Sequence, residues 1–415
     1  MRLIQGCSLR FYINYRPNLF FAKKRSYYCS MMQKIKSVFV EKFTDQPAIF
    51  KSPGRINILG EHTDYNEGFV LPAAIDKNIY VAIGKRTDNQ IHLFAADFNE
   101  NFTAGIEDIK PATIQWPNYI LGIVDQLQKN GHTIAGFNLV IDGDIPIGAG
   151  LSSSAAVECA VIFALNEIFK LGLSRMQMVP LAQKAEHVFA GVNCGIMDQF
   201  ASMFGKKNNA IKLDCRSLHY EYVPIKMDGY KIVLFNTNVK HNLAASAYNQ
   251  RRQQCEAGVS IIAQNNPTIS SLREVNMAML KDYVEKVDSL IYKRCKYVVQ
   301  ENERLQGACD DLKKGNIKAL GEKMYQTHNG LRYDYDVSRK ELDFLVDYVK
   351  ATTDVAGARM VGGGFGGCTI NLVKEEAVEK LITEISIAYQ EAMNLPLTAY
   401  QVTVENGTSA CPAAE

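Results

Sequence analysis

Residues 145–158 read I-P-I-G-A-G-L-S-S-S-A-A-V-E and restrict the fold more than any other stretch of the chain. Upstream, Phe137, Leu139 and Ile141 alternate with their neighbours as a strand does. Downstream, residues 151–171 carry Ala156, Ala160, Phe163 and Ala164 at helical spacing, which predicts the clearest long helix of the first half. Between them lie three small residues, Gly148, Ala149 and Gly150, then Leu151 and three hydroxyls, Ser152, Ser153 and Ser154. A strand that turns on glycine into a helix presents backbone N–H groups and a partial positive charge, which together cradle an anion such as phosphate. The string is not the loop G-x-x-x-x-G-K-[ST], because no lysine ends it. Taken alone, it also suits an ordinary glycine turn closed by a serine cap.

Two other strings concentrate titratable groups. A Pro-Gly turn at Pro53 and Gly54 leads into residues 55–65, where Arg55, Glu61, His62 and Asp64 crowd together. Carboxylates and an imidazole can hold sugar hydroxyls, and a fixed cation can face a transferring phosphoryl group, although a solvated turn has the same composition. Residues 185–199, A-E-H-V-F-A-G-V-N-C-G-I-M-D-Q, place Glu186 on a predicted helix (179–190) and Asp198 beyond a glycine break. One carboxylate could hold Mg²⁺ and the other face a nucleophilic hydroxyl; standing alone, they read equally as a surface charge and a helix start. The glycine cluster at 362–367 formally matches G-x-G-x-x-G, yet it runs into the strand-like C-T-I-N-L-V, so a dinucleotide site is rejected. V-A-I-G-K at 81–85 imitates the lysine strand of protein kinases, but no H-R-D or D-F-G follows.

Composition sets the scale. The chain has 415 residues, 47% apolar and 22% charged, enough for two packed domains, with a junction expected near residue 220 and a β-rich lead at 37–49. The formal charge of +2 gives no field to attract nucleic acid or an acidic membrane. That balance is uneven, because residues 1–30 carry six basic side chains and no acidic one, leaving the remainder at −4. Ten scattered cysteines without a C-x-x-C pair predict reduced thiols rather than zinc, and no apolar run reaches the roughly 18–20 residues of a membrane span. Residues 1–30 are read as a disordered or mis-started extension before Met31 and Met32; a transit peptide is the competing reading.

Together these strings resemble the GHMP family of small-molecule kinases, and 52–65, S-P-G-R-x-N-x-x-G-E-H-T-D-Y, is similar to its galactokinase signature. The phosphate loop at 146–155 and M-V-G-G-G-F-G-G-C-T at 360–369 follow in the family's order, with lesser matches at 116–122, 238–255 and 337–343. The resemblance implies an α+β, two-domain fold: an N-terminal α/β domain (31–220) like domain 2 of ribosomal protein S5, and a C-terminal ferredoxin-like α+β domain (221–415), with the active site between them. It implies transfer of the ATP γ-phosphoryl to the C1 hydroxyl of α-D-galactose, giving galactose 1-phosphate and ADP in galactose catabolism. Carried over by residue, Glu61, His62, Asp64, Gly195 and Tyr248 contact the sugar, Asp198 faces the anomeric hydroxyl as base or orienting group, and Arg55 sits beside it. Gly148, Ala149, Gly150, Leu151, Ser152, Ser153 and Ser154 wrap the ATP phosphates, Trp116 lines the adenine pocket, and Ser154 and Glu186 bind Mg²⁺. A cytoplasmic monomer with galactose and ATP as its partners, and no nucleic acid or membrane, is the expectation. The rivals are a kinase for N-acetylgalactosamine or another sugar, and a non-catalytic galactose sensor; sensors lose the Ser-Ala pair that stands here at Ser154 and Ala155.

Overall fold

The computed structural model describes the backbone of residues 17–239 and 244–412 and the side chains of 29–239 and 246–412. Strand β1 (Ala48–Asn57) is preceded by helix α1 (Pro17–Phe43), so the expected β-rich lead at 37–49 is helical as far as Phe43. The reason lies in spacing: Met31, Ile35 and Phe39 recur every four residues and are buried together on one side of α1. The expected boundary at 30/31 therefore falls inside a helix, and residues 17–30 continue it; residues 1–16 lie outside the described residues.

β1 is the second strand of a six-stranded sheet. Its order is β13 (Ser409–Ala410), β1, β3 (Pro72–Lys85), β6 (Phe137–Gly143), β4 (Gln90–Ala95) and β5 (Glu100–Gly105). All neighbours are antiparallel except β4 and β6. Side chains alternate across it: Ile79, Val81, Ile83, Leu139 and Ile141 join the main core, whereas Tyr80, Ala82 and Val140 meet α1 on the opposite face. The main-core face is covered by α3 (Ser153–Phe169) and α5 (Met197–Phe204), with α2 (Asn118–Lys129) and α4 (Arg175–Ala185) packed against α3.

Pro53 and Gly54 do not turn the chain. They sit within β1 at a bulge, where the pairing with β3 shifts between Pro53 and Arg55. A bulge re-aims the side chain that follows it, here Arg55.

A second, three-stranded sheet joins β2 (Phe69–Val70), β7 (Asn209–Asp214) and β8 (Tyr220–Pro224). The expected junction at 220 is thus the first residue of a strand paired with β7, and β13 returns from the far end of the chain to pair with β1. Division at 220/221 cuts neither sheet cleanly.

The remaining strands form an antiparallel sheet ordered β10 (Val355–Met360), β11 (Cys368–Lys374), β9 (Tyr230–Asn236) and β12 (Thr398–Val402). Between β9 and β10 run α6 (Ala244–Ala263), α7 (Met277–Met279), α8 (Ser289–Lys314), α9 (Ile317–Asn329) and α10 (Lys340–Lys350); α11 (Val378–Met393) links β11 to β12. In chain order the strands lie 2-3-1-4 with helical crossovers, the ferredoxin-like arrangement the resemblance implies. Its hairpin loop, 361–367, meets the phosphate loop backbone to backbone: a Cβ at Gly362 would lie 2.9 Å from the Gly150 carbonyl oxygen.

Candidate active site

The two loops wall a cavity of about 440 Å³. Arg55 enters from the bulge in β1, buried to 4% exposure. Its Nε donates to Asp198 Oδ1 at 2.7 Å and its Nη2 to Oδ2 at 3.0 Å, while Nη1 donates to the Gly150 carbonyl at 2.5 Å. Asp198, in the first turn of α5, also accepts from Ser152 Oγ at 2.5 Å. One carboxylate is thereby pinned by three donors on the cavity wall, a charge-assisted fork with little freedom to rotate.

Asp64 and Gly195 face each other so closely that a Cβ at Gly195 would stand 1.9 Å from Asp64 Oδ2. Burial, then the neighbouring Asp198 charge, pushes the Asp64 carboxyl up to about 7. The Tyr248 ring packs 5.2 Å from both His62 and Tyr65. His62 lines the cavity, but both its ring nitrogens are taken: Nε2 lies 3.2 Å from the Gly363 carbonyl and Nδ1 2.7 Å from the Tyr65 hydroxyl. A carbonyl only accepts, so Nε2 carries the proton and Tyr65 donates to Nδ1. Tyr65 in turn meets the Tyr335 hydroxyl at 2.7 Å, and burial holds His62 down to about 4, neutral. The imidazole thus braces the wall of the cavity, beside Asp64 and Tyr248, which line it too.

Glu61 is likewise committed. Its Oε1 accepts from Arg359 Nη1 at 3.1 Å and from the Gly362 N–H at 2.7 Å. Arg359 is fully buried and also donates to the carbonyls of Asn57, Ile58 and Met360, which binds the 53–65 segment to the 361–367 loop.

On the other side of Asp198 stands Glu186, at the start of a π turn that continues α4. Ser154 and Cys194 both hydrogen-bond it, and Gln199 Nε2 donates to its Oε2 at 2.7 Å. Burial, and then Asp198, pushes Glu186 up to about 7. A hydroxyl and a carboxylate side by side at the phosphate cradle are hard oxygen donors suited to Mg²⁺, which keeps few protein ligands beside substrate phosphates. Among the described residues no cluster of three or more His, Cys, Asp or Glu side chains suits a metal.

A second cavity, about 480 Å³, shares Tyr119, Ser153 and Ser154 with the first. Trp116 lines it, its indole N–H donating to Glu100 at 2.8 Å. Of the loop residues, Gly148, Gly150, Leu151 and Ser152–Ser154 face the cavities, whereas Ala149 is fully buried beneath, against Gly367.

Sequence reasoning missed several parts of this site. Glu158 follows Ser154 by one helical turn, a spacing that would have found it; it is fully buried, shares the Gln199 amide with Glu186 at 3.0 Å, and is held well above the carboxylate range by burial. Arg359 and Tyr335 lie about 300 residues from Arg55 and Tyr65 in sequence and carry no local signal.

A phosphate cradle on a helix start, opening on one side to a pinned aspartate in a polar cavity and on the other to an apolar cavity with a tryptophan, defines an ATP-dependent small-molecule kinase of the GHMP fold. Residues 118–206 match the GHMP kinases N-terminal domain and 308–391 the GHMP kinases C-terminal domain. Residues 37–85 match the galactokinase galactose-binding signature. The galactokinase of Thermotoga neapolitana is 42% identical over 357 residues, 86% of this chain and 98% of its own, and that of Clostridium acetobutylicum 39% over 381 residues, 90% and 97%. The crystal structure of Lactococcus lactis galactokinase complexed with galactose superposes with a TM-score of 0.89 at 35% identity, covering 92% of this chain and all of that one. Methanococcus jannaschii mevalonate kinase shares the fold at a TM-score of 0.62 and 19% identity. The chain belongs to the galactokinase family and is an ATP-dependent sugar kinase.

Proposed function

We propose that this cleft phosphorylates the C1 hydroxyl of α-D-galactose from ATP, giving galactose 1-phosphate and ADP. The observation that carries it is the position of Asp198, fixed by Arg55 and Ser152 where the polar cavity meets the phosphate loop. Asp64, the Gly195 backbone and Tyr248 offer the sugar its hydroxyl partners, and Glu61 and His62 hold the wall behind them. Asp198 accepts and orients the attacking hydroxyl, and the Arg55 guanidinium beside it supplies positive charge where the phosphoryl passes. Catalysis then rests on positioning and charge, as a loose phosphoryl-transfer transition state requires. Ser154 and Glu186 would hold Mg²⁺, which neutralises charge on the phosphates when bound.

Ser154 and Ala155 are both in place, with the Ser154 hydroxyl on Glu186, which favours catalysis over a sugar-sensing role. The nine cysteines among the described residues are all unpaired thiols, which supports a reducing, cytoplasmic setting, and a monomer suffices because the whole site comes from one chain. No helix among the described residues is long and apolar enough to cross a membrane. Coupled ADP release with galactose, N-acetylgalactosamine, arabinose and glucose tests the substrate; turnover of none of them would point to the sensor. Asp198→Asn should lower kcat by about a thousandfold while galactose still binds by calorimetry. Substantial residual kcat would remove Asp198 from the chemistry.

A further inference from the structure

Cys194 directly precedes the Gly195 that faces Asp64, and the end of one helix grips it by both backbone and side chain. Gln183 lies on α4 and His187 on the π turn that continues it, four residues apart and so on one side of the helix. Both side chains reach the same atom: Gln183 Nε2 donates to the Cys194 carbonyl oxygen at 3.1 Å and His187 Nε2 at 2.8 Å. A carbonyl oxygen only accepts and has two lone pairs, so the imidazole carries a proton on Nε2 and the acceptor is full. Glu186, between these two in sequence, accepts from the Cys194 thiol at 3.3 Å.

The grip extends through the next peptide bond. The plane that links Cys194 to Gly195 is rigid and trans, so its N–H points opposite to its carbonyl. With the carbonyl turned to α4, the Gly195 N–H leaves from the other edge of the plane. Gly195 is buried, and this N–H meets no acceptor among the described residues. Buried backbone N–H groups are nearly always paired, so one left open beside a polar cavity is a donor kept for a ligand. Cys194, Asp64 and Tyr248 all line that cavity.

We propose that Gln183 and His187 are positioning residues for the sugar: by filling both lone pairs of the Cys194 carbonyl they fix the 194–195 peptide plane and aim the Gly195 N–H at a sugar oxygen. This rests on reading the polar cavity as the sugar site. The two donors act in parallel, so either one alone still holds the plane and only the loss of both releases it.

Steady-state kinetics of the full chain, with galactose affinity by calorimetry, test this. His187→Phe and Gln183→Met keep the bulk of each side chain and remove its N–H. Each should raise the galactose KM and Kd about twofold and the double variant at least about tenfold, more than the product of the two. The kcat and the ATP KM should stay near their wild-type values, because this N–H holds the sugar alike before and during transfer. His187→Gln restores an amide donor of similar reach and should bring the galactose KM back towards wild type, which a packing role would not predict. Equal rises in the galactose and ATP KM, a double variant no worse than the product of its singles, or no recovery in His187→Gln would overturn the proposal. Should the double variant not fold, His187→Phe against His187→Gln carries the comparison. An unaltered protein that neither binds nor turns over galactose would sink the reading of the cleft and this inference with it; an active kinase whose variants keep the wild-type galactose KM would sink this inference alone.

Discussion

Replacing Arg359 by methionine tests whether the two halves of the cleft are bolted together by one side chain. The guanidinium is wholly buried and holds Glu61 Oε1 and three backbone carbonyls, those of Asn57, Ile58 and Met360. Methionine fills much of the volume but donates nothing, so the cavity contribution is small and the loss comes from orphaned acceptors. Removing one member of a buried ion pair costs about 3–5 kcal/mol. With unfolding entropy of about 2.1 cal/mol/K per residue and 415 residues, that corresponds to a fall of roughly 3–6 °C in Tm. Scanning calorimetry reads it directly. Galactose KM should rise in the same variant, because Glu61 also anchors the Gly362 N–H at 2.7 Å and with it the loop facing His62. Adding Glu61→Gln to Arg359→Met removes the stranded charge and should recover part of the Tm. A Tm loss equivalent to less than about 1 kcal/mol, or a double variant no better than the single, would refute the reasoning.

Gly195→Ala should raise galactose KM by at least about tenfold with Tm nearly unchanged, because its Cβ would displace the Asp64 carboxyl from 1.9 Å away and touch little of the core; steady-state kinetics with a wild-type KM would dismiss the contact. Asp64 is pushed up to about 7 from an ordinary 3.8, chiefly by burial, so the native state binds its proton more tightly than the unfolded chain. Its contribution to stability therefore falls as pH rises from about 4 to 7. Asp64→Asn should accordingly raise the Tm of the ligand-free protein at pH 8 and much less at pH 5; an equal gain at both would show that the charge does not matter.

Much of the site was legible because local strings carry it. The strand, glycine turn and serines of 137–154 require neighbours in sequence, and the helix that follows is fixed by its own apolar spacing. The pairing of Ser154 with Glu186, and of Arg55 with Asp198, was reachable only through the family resemblance. Composition misled at 37–43, where Val38, Phe39 and Val40 read as strand while Met31, Ile35 and Phe39 set a helix against the sheet. It misled again at Pro53 and Gly54, which look like a turn but form a bulge because β3 pairs on both sides of them. Tertiary pairing overrode local preference in both places.

What the sequence by itself determined is the chemistry: a phosphate cradle, a cluster of carboxylates around an arginine, and the absence of any charge field or metal motif that would suit another class of protein. What only the tertiary structure decided is how those groups are held. His62 and Glu61 lie in the signature, yet His62 Nε2 donates to the Gly363 carbonyl and Glu61 Oε1 accepts from Gly362 and Arg359, all from the other end of the chain. Partners some 300 residues away leave no periodicity or spacing for a linear reading to detect, and burial, which sets the protonation of His62, Asp64 and Glu186, exists only once those partners close over them.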